Sequence, residues 1–205
     1  IDGMDGLSGG ISSIFFLTIG IIAFFQGRVQ TLEITLAFIM LGAVLGFLVH
    51  NFYPAKLFAG EAGSAFMGFT IAIISLLGYK GTLLTSFIVP LLILAVPILD
   101  TLFAIIRRKL KGKPIFEADK EHLHHQFLKM THSQRRTVLV IYAINILFSI
   151  ASILYVLKDQ FVGLIIYIIL LFIVVWLILH TSIISSKVED KVKEFEDSHK
   201  KTKKK

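Results

Sequence analysis

Asp2 and Asp5 stand three positions apart in the run Ile1-Asp2-Gly3-Met4-Asp5-Gly6-Leu7-Ser8-Gly9-Gly10, directly ahead of an apolar stretch long enough to cross a bilayer. Two carboxylates at a membrane mouth repel and lose hydration, so a cation, a sugar or a basic partner must offset that cost. A second polar cluster is His50-Asn51-Phe52-Tyr53-Pro54-Ala55-Lys56-Leu57-Phe58-Ala59-Gly60-Glu61-Ala62-Gly63-Ser64. Its glycines permit close backbone approach, and the free N–H groups of the helix that follows suit an anion, with Glu61 in the first turn. The third cluster carries His122, His124 and His125 near Lys113, Lys120 and the pair Arg107/Arg108. These histidines lack the spacing of a helical zinc pair and no cysteine accompanies them, which disfavours structural zinc. Imidazoles among cations better suit phosphate oxygens. Carboxylates, imidazoles and cations together form the inventory for binding a metal-chelated diphosphate.

Each cluster has a plainer reading. Asp-Gly pairs punctuate ordinary loops, an acid at a helix start complements the dipole, and histidines in a basic interfacial loop can be incidental. His132, His180 and His199 are isolated and receive no role. Asp100, inside the fourth apolar stretch, is read either as a cleft wall or as a structural hydrogen-bonding group.

The elements that must position these clusters are membrane helices. With 55% apolar residues and 12% aromatic ones, the chain has too much apolar side chain for a water-soluble core. Its mean hydropathy of +0.79 agrees. There is no cysteine, hence no disulfide framework or thiolate site. A net charge of +7 does not imply nucleic acid, because the basic residues are segregated as a membrane topology requires. The start shows no cleavable signal pattern. Opening on Ile1 in mid-motif, the chain reads as the C-terminal part of a longer protein.

Six stretches are expected to span, near Leu7–Phe25, Leu32–Val49, Ser64–Tyr79, Leu83–Ile106, Val138–Leu157 and Phe161–Ile184. The third is short and can begin inside the preceding loop; Pro90 and Pro97 should kink the fourth. The joints at Arg28, Lys80 and Lys158 are tight, whereas loops 50–63 and 107–136 are long. Eighteen of the lysines and arginines fall on the long-loop side and three on the other. The positive-inside rule then places the N-terminal motif, both long loops and the tail in the cytoplasm. The expected organisation is a transmembrane catalytic region over 1–186 and a basic cytoplasmic tail over 187–205, with some affinity for anionic lipid.

The ordered set Ile1 to Leu7, Asn51 to Ser64, and Asp119-Lys120-Glu121-His122-Leu123-His124-His125 resembles the polyprenyl-phosphate N-acetylhexosamine-1-phosphate transferases, glycosyltransferase family 4. The histidine motif looks like the branch that starts wall teichoic acid, O-antigen or related polymers. That resemblance implies an all-α polytopic enzyme of the bacterial plasma membrane with about eleven spans, of which about six are present here. It implies transfer of N-acetylglucosamine-1-phosphate from UDP-N-acetylglucosamine to undecaprenyl phosphate, releasing UMP. It also implies magnesium, with manganese as a substitute, and leaves a homo-oligomer open.

Carried over by motif, Asp2 and Asp5 line the nucleotide-sugar cleft as catalytic acids, and His122, His124 and His125 contact the diphosphate. Asn51 and Phe58 match pocket walls, Phe58 stacking on uracil, while Lys56 and Lys120 are taken as substrate-binding cations. Glu61 stands where the family has a metal-binding aspartate and reaches one methylene further. The family's paired-aspartate motif would lie before residue 1, which implies that the chain alone is inactive. Two readings of other classes stand beside this one. A non-catalytic membrane assembly subunit is favoured by Glu61 and the mid-motif start; a secondary transporter has only Asp100 and the two prolines in its support.

Overall fold

The computed structural model describes residues 3–28, 31–77, 89–110, 127–128 and 130–177. Asp2, Lys120, His122, His124, His125 and the tail lie outside the described residues, as does most of the loop 107–136. What is described is helical, with α1 Leu7–Phe25, α2 Leu32–Asn51, α3 Gly60–Leu77, α4 Ala95–Leu110, α5 Gln134–Leu157 and α6 Gln160–Leu177. Five of these, all but α4, are long and apolar enough to cross a membrane, as a polytopic membrane protein requires.

The spans agree with the hydropathy reading at α1, and the other boundaries shift for physical reasons. α2 runs on to Asn51, because that side chain finds backbone partners beyond the helix end. α3 starts at Gly60 rather than Ser64, which brings Glu61 into its first turn. α5 starts at Gln134, four residues before the apolar stretch, since charged residues can extend a helix out of hydrocarbon.

The fourth span departs furthest. Instead of one kinked helix, residues 89–93 are helical, Leu94 is a turn, and α4 begins at Ala95. In a continuous helix Pro97 would leave the Ile93 carbonyl without its N–H partner. The break puts Pro97 in a first turn, where a missing N–H costs nothing.

α1 forms the axis of the bundle, with 78% of its apolar window buried against 33% for α2, 17% for α3 and 11% for α6. It packs against α2, α3 and α5. Phe15, Phe16 and Ile19 join Ala37, Met40 and Ile74 in one core cluster. A second cluster, including Met4, Leu7, Ile11, Val138 and Ile141, lies at the end where α1 begins. Outward faces carry Ile39, Phe66, Phe69, Phe172 and Trp176, apolar side chains suited to lipid or to further helices.

Four hydroxyls inside the bundle are satisfied within their own helices. Ser13 donates to the Gly9 carbonyl, Thr70 to Phe66, Ser75 to Ile71 and Ser152 to Phe148. Each bond reaches back four residues, the arrangement that lets a hydroxyl enter hydrocarbon without an orphan donor.

Candidate active site

The site is built where α1 starts, α2 ends and α3 and α5 start. Gly6 caps α1 with a φ of 80°, a left-handed conformation that a side chain would strain. A Cβ there would also meet the Phe52 ring at 3.1 Å. The Gly6 N–H donates to Asn51 Oδ1 at 3.0 Å, and Asn51 Nδ2 donates to the Leu57 carbonyl at 2.8 Å. The His50 carbonyl accepts from Lys56 N at 2.8 Å and Leu57 N at 3.2 Å, folding the loop back over the end of α2. The Ala55 N–H donates to Asp5 Oδ2 at 3.0 Å. Asp5 and the second polar cluster, fifty residues apart in sequence, therefore share one mouth.

α5 holds this arrangement from the other side. The Tyr142 hydroxyl donates to the Gly6 carbonyl. Arg135 Nη2 donates to the Tyr53 carbonyl at 3.3 Å, and its guanidinium carbon lies 5.9 Å from the centroid of the Phe52 ring. That distance allows a cation–π attraction.

The sequence-predicted residues fall as follows. Asp5 is half-buried at the mouth, one carboxylate oxygen engaged by the loop. Lys56 is exposed, and Phe58 is 71% exposed at the loop's outer surface, where an aromatic face is open to stacking. Glu61 is exposed in the first turn of α3, and its carboxylate has no hydrogen bond or ion pair among the described residues. Asn51, read from sequence as a pocket wall, is 4% exposed with its amide engaged on both sides, and braces the loop from within.

Residues that sequence reasoning passed over are Gly10, Arg135 and Tyr142. Arg135 counted only as topological charge, and Tyr142 looked like one more aromatic in an apolar helix. The available signal was the adjacent pair Gly9-Gly10 inside a membrane span, which marks a close approach.

Among the described residues no three His, Cys, Asp or Glu side chains come together as a metal cage. Magnesium does not require such a cage, since it binds through one or two carboxylates and otherwise through phosphate oxygens and water. The exposed carboxylate of Glu61, at this end of the bundle, is a hard oxygen donor that could serve such an ion.

Just inside the mouth a cavity of about 510 Å³ opens between α1, α3 and α4. Ser8 and Ser12, Ser64 and Met67, Pro97 and Thr101 contribute to its wall. The Ser64 and Thr101 hydroxyls bond back to Gly60 and Pro97, so this part of the lining offers few free polar groups. An apolar chain suits it.

Comparison with known proteins places this arrangement. The family described as "Glycosyl transferase family 4" matches residues 1–79. The "Probable undecaprenyl-phosphate N-acetylglucosaminyl 1-phosphate transferase" of Bacillus subtilis (strain 168) is 47% identical over 175 residues, covering 85% of this chain and 48% of that protein. The "Decaprenyl-phosphate N-acetylglucosaminephosphotransferase" of Mycobacterium tuberculosis (strain ATCC 25618 / H37Rv) is 37% identical over 160 residues, covering 69% of this chain and 40% of that protein. The "Undecaprenyl-phosphate alpha-N-acetylglucosaminyl 1-phosphate transferase" of Escherichia coli (strain K12) is 35% identical over 146 residues, again 69% of this chain and 39% of that protein. The chain thus spans about half the length, or less, of these curated relatives. No solved structure gives a significant match. With its Asp-Gly mouth, its helical membrane bundle and these relatives, the chain belongs to glycosyl transferase family 4.

Proposed function

We propose that this chain is part of an enzyme that transfers N-acetylglucosamine-1-phosphate from UDP-N-acetylglucosamine to undecaprenyl phosphate, with release of UMP. The observation that carries the reading is the joining of Asp5 to the loop bearing Lys56, Phe58 and Glu61 at one membrane mouth. The names of its relatives supply the substrate classes.

In this reading an oxygen of the acceptor phosphate attacks the sugar-bearing phosphorus of the UDP-sugar. The new P–O bond forms as the bond to the UMP oxygen breaks, so a lipid diphosphate sugar and UMP result. Phe58 stacks on the uracil, Lys56 and Lys120 attract the phosphates, and His122, His124 and His125 bind the diphosphate. Asp2 and Asp5 orient the nucleotide sugar, and the apolar cavity beside α4 takes up acceptor chain. Magnesium held by Glu61 would neutralise charge on the diphosphate. The positive-inside asymmetry puts this mouth in the cytoplasm, where nucleotide sugars are available.

The test is UMP release from membranes carrying the protein at the full length of its relatives, given UDP-N-acetylglucosamine with and without undecaprenyl phosphate. Acceptor-dependent release is expected. No release with both substrates and magnesium present overturns the reading and returns weight to a non-catalytic assembly role.

A further inference from the structure

The Gly6 peptide is gripped from two helices at once. Its N–H goes to Asn51 at the end of α2, and its carbonyl to the Tyr142 hydroxyl on α5. Asp5 immediately precedes Gly6 and its carboxylate accepts from the Ala55 N–H, so a shift of Gly6 would be expected to disturb that bond. The Tyr142 ring can reach so far only because residue 10 has no side chain. A Cβ on Gly10 would sit 1.9 Å from the ring's hydroxyl-bearing carbon and from the hydroxyl oxygen. On the same face of α5, two turns before Tyr142, Arg135 holds the Tyr53 carbonyl of the opposing loop. One face of α5 thus grips both backbone segments that form the mouth.

We infer that Tyr142 is a positioning residue of the transfer site, with Gly10 as the notch that admits its ring. It acts through Asp5 and touches no substrate. This rests on the transferase reading for its kinetic consequence, although the grip itself can be tested without activity.

Tyr142→Phe keeps the ring in the notch and removes only the hydroxyl. In the full-length protein kcat should fall about tenfold while KM for the UDP-sugar moves less than about twofold, as expected when an orienting group is misplaced and most substrate contacts are kept. In an Asp5→Asn background the same substitution should cost little more, because both changes act on one group. Gly10→Ala should reproduce the Tyr142→Phe loss in an otherwise wild-type chain and be nearly silent beside Tyr142→Ala, where the notch is empty.

Because the chain has no cysteine, Ala55→Cys reports the mouth directly. Its labelling by a water-soluble maleimide should quicken about threefold or more when Tyr142→Phe is added, through local opening. Unchanged labelling overturns the grip, whatever the activity. Faster labelling with kcat unaltered, or with an equal loss in the Asp5→Asn background, overturns the link to Asp5. If the unsubstituted protein releases no UMP, the transferase reading fails and the labelling comparison alone decides whether Tyr142 holds the mouth.

Discussion

Two buried asparagines in this chain sit in opposite circumstances. Asn51 accepts from the Gly6 N–H and donates to the Leu57 carbonyl, so its removal strands two backbone groups. Asn145, fully buried on α5, has neither amide atom paired among the described residues, and Ser149 one turn later is likewise unpaired there. Stranding a buried partner costs about 1–3 kcal/mol, whereas replacing an already unpaired polar group by an apolar one is close to neutral. Asn51→Leu should therefore lower stability by about 2 kcal/mol or more and Asn145→Leu by less than about 1 kcal/mol. Thermal unfolding in detergent, followed for both variants, checks the contrast; equal losses would remove the bracing role of Asn51.

Glu61 poses a different question at the same scale. Its carboxylate is exposed and unengaged among the described residues, which leaves it available to a hard cation. Glu61→Asp should retain or raise magnesium-dependent UMP release, and Glu61→Ala should nearly abolish it, because magnesium tolerates little misplacement of its ligands. A magnesium titration of the three proteins reads this out. An alanine variant that follows the unsubstituted curve would reduce Glu61 to a helix-start acid.

Among elements, the α5–α6 hairpin shows how sequence punctuation becomes packing. Asp159 accepts from Phe161 N at 2.7 Å and from Val162 N at 3.4 Å, capping α6. Gly163 then lets α6 lie against α5 so closely that a Cβ would come within 2.4 Å of the Tyr155 Cα. Phe148 and Tyr167 meet edge to face across the pair at 5.4 Å. Asp159→Ala should cost about 1 kcal/mol through the lost cap. Gly163→Val should cost more, about 1–3 kcal/mol, because the neighbour is backbone and cannot move aside. Denaturant or thermal unfolding of the two variants would order them; a harmless Gly163→Val would mean that the helices can separate freely.

At the scale of the whole molecule the helices alternate, so that the starts of α1, α3 and α5 and the end of α2 share one end. Contacts from Asp5 to Ala55, from Gly6 to Asn51 and Tyr142, and from Tyr53 to Arg135 hold those termini together. At the other end Arg28 and Glu33 form an ion pair at 3.2 Å across the α1–α2 joint. The proposed orientation, with the basic long-loop side inside, puts the site end in the cytoplasm. A cysteine at position 113 should accordingly be inaccessible to a membrane-impermeant reagent in intact cells and labelled once they are opened. Labelling from outside would invert the topology.

Composition and hydropathy determined the architecture, because an apolar run of sufficient length has no stable place but the bilayer and must satisfy its backbone as helix. The two polar segments around Asp5 and Asn51 to Glu61 stood out by residue type and order, and the structure adds that they meet. What the chain order could not express was which side chains lie open at the mouth and which turn to backbone. Asn51 turned inward because two particular backbone groups lay within its reach. The helix broke at Leu94, where two neighbouring prolines left only a kink to be expected. Gly10 and Tyr142 met across more than a hundred residues, a contact between surfaces that exists only once α1 and α5 are packed. Such complementarity depends on helix rotation and depth, which side-chain packing sets and which no local pattern records.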